Sequence, residues 1–170
     1  MKKSGFWLVY LFLLVAQLLL STYANFSPYV IVTLLPVMVL CMPIRVSTYV
    51  ALVVAFASGL TVDFLSEGLL GLNALALVPV AFARNAIIRL IFGEELFARE
   101  EDFSIHRSGF GKVAVAIFLS TALFLVVYVW ADAAGTRPFL FNAIRFAASL
   151  AVSTGVSFLV VNLLAPDSRK

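Results

Sequence analysis

The sequence predicts an all-α, polytopic integral membrane protein with six transmembrane helices. Three observations predict it. Of 170 residues, 63% are hydrophobic and only 12% charged, whereas a soluble domain sits near half apolar and a quarter charged. The apolar residues fall in runs close to the ~20 residues that a helix needs to cross a ~30 Å hydrocarbon layer. The cations also divide unevenly. Lys2, Lys3, Arg45, Arg84, Arg89, Arg99, Arg107, Lys112, Arg169 and Lys170 fall on the side of the termini, and only Arg137 and Arg145 fall opposite. The positive-inside rule then puts both termini in the cytoplasm. The chain reads as a single domain, 1–170. A net charge of +3 reflects where the cations sit and is no nucleic-acid footprint. The lone Cys41 excludes an intramolecular disulfide and any multi-cysteine metal site.

The first span, 6–22, follows Lys2-Lys3. Thr22-Tyr23-Ala24 resembles a signal-peptide cleavage site, but the length of the run and the apolar segment just after it argue for a retained anchor. The second span, 26–42, is barely long enough and contains Pro36, which removes a backbone hydrogen bond and predicts a kink. A re-entrant segment is the competing reading, and it would reverse the topology downstream.

The third span, 46–63, is uncharged from Val46 to Val62, so Arg45 and Asp63 mark its two membrane faces. Ser47, Ala51, Ala55 and Gly59 recur every four residues toward Asp63, a small-residue stripe that lets another backbone come close in lipid. Ser66, Glu67, Gly68 and Gly71 follow, and two glycines so near each other predict a tight turn or close backbone packing. The fourth span, 69–88, carries Arg84 and Arg89, both long enough to snorkel to a headgroup layer.

From Arg84 to Lys112 runs the one long polar stretch, with Glu94, Glu95, Arg99, Glu100, Glu101, Asp102, His106 and Arg107. A surface-lying helix and a charged loop fit it equally. The fifth span, 113–131, ends with Tyr128 and Trp130, residue types that favour the interface. A turn at Gly135 and Pro138 leads to the sixth, 139–165, with a second stripe at Ala143, Ala147, Ala151 and Gly155. Arg145 lies about two turns inside it. Both stripes predict internal helix packing, with an outward face for a single-span partner as the alternative.

Catalytic candidates are few. His106 has no histidine or cysteine partner for metal binding or nucleophilic catalysis. Asp63, Glu67 and Asp132 fall on the periplasmic side, with nothing that joins them to a nucleophile. We therefore expect neither an enzyme nor a cofactor. Asp63 sits at a helix carboxyl end, where the macrodipole disfavours an anion. Three partners remain open: Arg145 or Arg137, the N–H groups opening the fourth helix, or plain solvent. Arg45 reads equally as a topogenic charge or as a specific contact.

Pro43 and Arg45, a small residue before Gly59-x-x-x-Asp63, Gly68-x-x-Gly71 and Asn73-Ala74-Leu75 together resemble the MreD family of rod shape-determining membrane proteins. The resemblance covers about thirty residues. It implies a bacterial inner-membrane scaffold of the lateral cell-wall elongation machinery, without turnover of its own. It also implies an MreC-like bitopic partner and, indirectly, the MreB filament and the glycosyltransferase–transpeptidase pair that builds peptidoglycan. The family is similar in fold to the six-helix substrate-binding subunits (ECF S-components) of vitamin transporters. That likeness supplies an alternative function, capture of a small molecule in a pocket lined by Glu67, Asn73, Arg137, Asn142 and Arg145.

Overall fold

The computed structural model describes residues 3–23, 29–67, 70–93 and 109–164, and among them every regular element is a helix. In chain order these are α1 (Lys3–Tyr23), α2 (Leu35–Leu40), α3 (Thr48–Val62) with a π-helical turn at Asp63–Glu67, α4 (Leu72–Phe92), α5 (Phe110–Ala133) and α6 (Phe139–Leu164). Four stretches are long and apolar enough to cross a membrane: Thr48–Ser66, Leu72–Phe92, Phe110–Ala133 and Phe139–Leu163. The corresponding stretch of α1, Trp7–Thr22, is shorter. Large apolar side chains point outward all round, among them Leu8, Phe12, Val53, Phe82, Leu90 and Leu159. Water would not tolerate such a surface, and lipid requires it.

At the centre α4 packs between α3 and α5, and α5 in turn carries α6 and α2. Their contact faces form two apolar clusters. One holds Ala55, Val62, Leu77, Val80, Phe124 and Val129; the other holds Leu40, Ile88, Phe92, Val113 and Ile117. Tyr10 ties α1 to α3 by donating to Ser58 Oγ at 3.1 Å. Tyr128, expected at the interface, is buried and stacked on Phe124, whereas Trp130 is exposed.

The second apolar segment departs from the expected helix. Residues 30–34 are not helical, and only Leu35–Leu40 coil into α2. Pro36 does not kink a long helix; it stands in the first turn of a short one, where its missing N–H costs nothing. Residues 33–40 are all buried, so each backbone group there needs a partner from the protein. Side chains supply them. Ile31 N donates to Ser149 Oγ at 2.9 Å, and Thr33 N donates to Ser153 Oγ at 3.1 Å. In return the Ser153 hydroxyl donates to Ile31 O and the Ser157 hydroxyl to Thr33 O. Leu34 N donates to Gln17 Oε1 at 2.6 Å, and Leu35 N to Thr33 Oγ1 at 3.3 Å.

The geometry explains why a helix can partner an extended chain here. Alternate residues of an extended chain repeat every ~6.6 Å, and every fourth residue of a helix every ~6.0 Å. A serine at each fourth position of α6 therefore meets the groups that a neighbouring strand would meet.

This serine face corrects the expected packing of α6. Ser149, Ser153 and Ser157 are buried, while Ala147, Ala151 and Gly155 are exposed. The two sets lie two residues apart, or about 200° round the helix. Hydrogen-bond demand from residues 31–33 decides which face turns inward, and the small residues are left outside. The stripe on α3 packs as expected at Ala51, Ala55 and Gly59, which are buried, whereas Ser47 is exposed and caps the helix by accepting from Val50 N at 3.4 Å.

Candidate functional site

The site is built where α3 ends and α4 begins. Gly59 and Asp63 lie one turn apart on the same face of α3, and that face rests on the first turn of α4. A Cβ on Gly59 would stand 2.6 Å from the Cα and N of Ala74, so only glycine allows this approach. The approach brings Asp63, fully buried, against the start of α4.

Its carboxylate accepts four hydrogen bonds. Gly71 N donates to Oδ2 at 3.0 Å and Ala74 N to Oδ2 at 3.2 Å; Asn73 N donates to Oδ1 at 2.9 Å and Asn73 Nδ2 to Oδ1 at 3.0 Å. Three of these are the N–H groups that a helix start leaves without internal partners. Gly71, the residue that opens α4, has φ +96°, a left-handed conformation that side-chain-bearing residues rarely adopt. The acid at the negative end of one helix is thereby held by the positive end of the next. The π-helical turn at Asp63–Glu67 widens the end of α3 at this point.

Of the three partners open for Asp63, the structure has the N–H groups of α4. Arg145 and Arg137 both donate instead to Oδ2 of Asp132, Arg137 at 2.9 Å. The physical reason is position: Asp132, Arg137 and Arg145 are brought together by the turn from α5 to α6.

The other motif residues lie at the opposite end of α3. Pro43 follows α2, and its carbonyl accepts from Val46 N at 3.0 Å in the turn that leads to α3. Arg45 is exposed. Gly68 lies outside the described residues, as does most of the polar stretch, 94–108.

Arg84 does not snorkel. It is 1% exposed, donates to the carbonyl of Met42 through one terminal nitrogen, and donates to Asn85 Oδ1 through the other at 3.4 Å. The guanidinium thus sits on the Met42 carbonyl just beyond α2, near the negative end of that helix. Asn85 reaches Thr48 Oγ1 at 3.0 Å, joining the same point to the start of α3.

Sequence reasoning missed the roles of Arg84 and Asp132, and it missed the serine ladder. The ladder had a signal, Ser149-x-x-x-Ser153-x-x-x-Ser157, and Gln17 in the middle of an apolar run was a second one.

No curated protein and no solved structure matches the chain. A family model described as rod shape-determining protein MreD matches residues 1–100, a stretch that includes Pro43, Arg45, the Gly59–Asp63 face and its α4 partners. With more than half of the chain matched, this protein belongs to the MreD family of membrane proteins that determine rod cell shape.

Proposed function

We infer that the chain is a scaffold subunit of the lateral cell-wall elongation machinery, without chemistry of its own, seated in the bacterial inner membrane. In this reading an MreC-like bitopic protein is its direct partner. The MreB filament and the peptidoglycan glycosyltransferase and transpeptidase are reached through that partner. The observation that carries the reading is the occupancy of Asp63. Both carboxylate oxygens are committed to four donors of the same chain, which suits a clasp between helices and leaves little for proton transfer.

Six membrane crossings are supported by the course of the second segment, and cytoplasmic termini by the uneven division of the cations. Ile31 lies beside Ser149 in the first half of α6, and Met42 beside Arg84 in the second half of α4. The segment also runs parallel to α6, because Ile31 and Thr33 meet Ser149 and Ser153 in that order, as a second and a sixth crossing in one direction would. Its extended part gains ~3.3 Å per residue against ~1.5 Å for helix, which compensates for its shortness.

The vitamin-transporter alternative has less support. Of the polar groups it would use, Asn73 is engaged by Asp63, and Arg137 and Arg145 by Asp132. Depletion in a rod-shaped host tests the two readings. Rounded, widening cells and co-purification of an MreC-like protein are expected; cells that keep their shape but lose uptake of a vitamin would favour the transporter. Reporter fusions after Lys170 and near Gly135 should report cytoplasm and periplasm respectively.

A further inference from the structure

Asp132 ends the apolar course of α5 and faces the first turns of α6. Its Oδ2 accepts from Arg137 and from Arg145, so one carboxylate stands against two guanidiniums and the cluster carries one positive charge in excess. The side chains of Arg145 and Asp132 are only 12% exposed, whereas that of Arg137 is 41% exposed and presents the charge outward. One buried donor of the same region, Arg145 Nε, has no partner among the described residues. It lies within the first two turns of α6, the positive end of a 26-residue helix.

Arg137 is held in place twice, by Asp132 and by the ring of Phe141, 5.7 Å from its guanidinium carbon. Phe141 in turn packs on Tyr29, with ring centroids 5.1 Å apart. Trp130 and Phe139, exposed and 6.2 Å apart, stand at the same end of the bundle. Aromatic side chains of this kind mark the depth at which lipid headgroups begin.

We propose that Arg137 and Arg145, at the start of α6, form a binding site for a phosphate group, of the kind carried by an anionic phospholipid headgroup. Guanidinium planes match phosphate oxygens in pairs. An excess charge at the edge of a low-dielectric layer draws a counter-anion more strongly than it would in water. Asp132 and Phe141 fix the arginines beforehand, so little freedom is lost when the anion arrives. Asp132 orients the two cations and neutralises only one of them.

The test uses the full-length protein purified in a neutral detergent and offered phosphatidylglycerol, phosphatidylcholine or inorganic phosphate. Retention is read by native mass spectrometry, and stability by thermal melting. Phosphatidylglycerol is expected to be held in preference to phosphatidylcholine. Arg137→Gln is expected to weaken its retention about fivefold, the effect of one partly exposed charged contact, and to weaken it more than Arg89→Gln at the opposite end of the bundle. Arg145→Gln is expected to do the same; if that variant does not fold, the exposed Arg137 decides alone. A rise in melting temperature with inorganic phosphate that is lost in Arg137→Gln assigns the site to a free phosphate; a response to phosphatidylglycerol alone assigns it to lipid. Equal losses in Arg137→Gln and Arg89→Gln would overturn the site, as would equal retention of the two lipids with no response to phosphate.

Discussion

Gly59 and Ala74 leave no room between them: a Cβ on Gly59 would lie 2.6 Å from two backbone atoms of Ala74. Backbone cannot rotate away as a side chain can, so the strain has no cheap outlet. Gly59→Ala should therefore destabilise the protein by about 1–3 kcal/mol in detergent melting, and Gly59→Leu should abolish the folded form. Gly155 has nothing within 4 Å of its would-be Cβ, so Gly155→Leu should melt like the wild type. The pair of outcomes separates a stripe that packs from one that faces lipid.

Asp63→Asn keeps size but turns an NH2 group toward backbone N–H donors. At least one of the four hydrogen bonds becomes a donor facing a donor, and the survivors lose their ionic character. A cost on the order of 3 kcal/mol is expected, read as a lower melting temperature and as failure to restore rod shape in a depleted host. Full complementation with unchanged melting would reduce the aspartate to a dispensable cap.

A double-mutant cycle distinguishes the two acids. Arg145→Gln with Asp132→Asn should be less harmful than the sum of the single changes, because those groups share a contact. Arg145→Gln with Asp63→Asn should be additive, since the two share no partner. Coupling in the second cycle and additivity in the first would contradict the observed pairing.

Ser153 serves two backbone groups, accepting from Thr33 N and donating to Ile31 O, whereas Ser149 serves one. Ser153→Ala should therefore cost more than Ser149→Ala, by about 1–3 kcal/mol for each buried group left alone. Ala147→Ser, on the exposed face, should be neutral. Hydrogen exchange at residues 31–34 reports the same ranking, with Ser153→Ala opening the segment furthest.

Arg84→Met removes the cation from the Met42 carbonyl beyond α2 and should lower the yield of folded protein. Arg84→Lys should recover only part of it, because an ammonium cannot span Met42 and Asn85 together as the guanidinium fork does. Equal yields for Met and Lys would mean that packing, not charge, matters at this position.

Much of this architecture was legible in the chain. Long apolar runs fix where helices are, because a membrane offers the backbone few other ways to satisfy itself. The Gly59–Asp63 face was legible too, since small residues every four positions ending in an acid have few explanations in lipid. Its partner stayed open among Arg145 or Arg137, the N–H groups opening α4 and solvent, because backbone N–H groups leave no mark in a sequence that would choose between them. Arg145 had the correct sign and side for Asp63, yet the α5–α6 turn gives it to Asp132. The broken second segment was hidden for a related reason. Pro36 disfavours a continuous helix, but what an extended backbone needs in its place is written far away, in three serines of α6. A pattern scored for small size at Ala143, Ala147, Ala151 and Gly155 overlooks hydroxyls two positions on.

That distance along the chain sets a timetable for biogenesis. Ile31 is synthesised 118 residues before Ser149, the first hydroxyl that can satisfy it. Until the final helix leaves the ribosome, residues 31–33 lack the hydroxyls of the mature protein, and bare amides in hydrocarbon are costly. The segment must therefore wait in some other form, helical in the bilayer or held by water at its edge. The stretch from Ile31 to Thr33, among the earliest made, becomes native only when the last helix arrives.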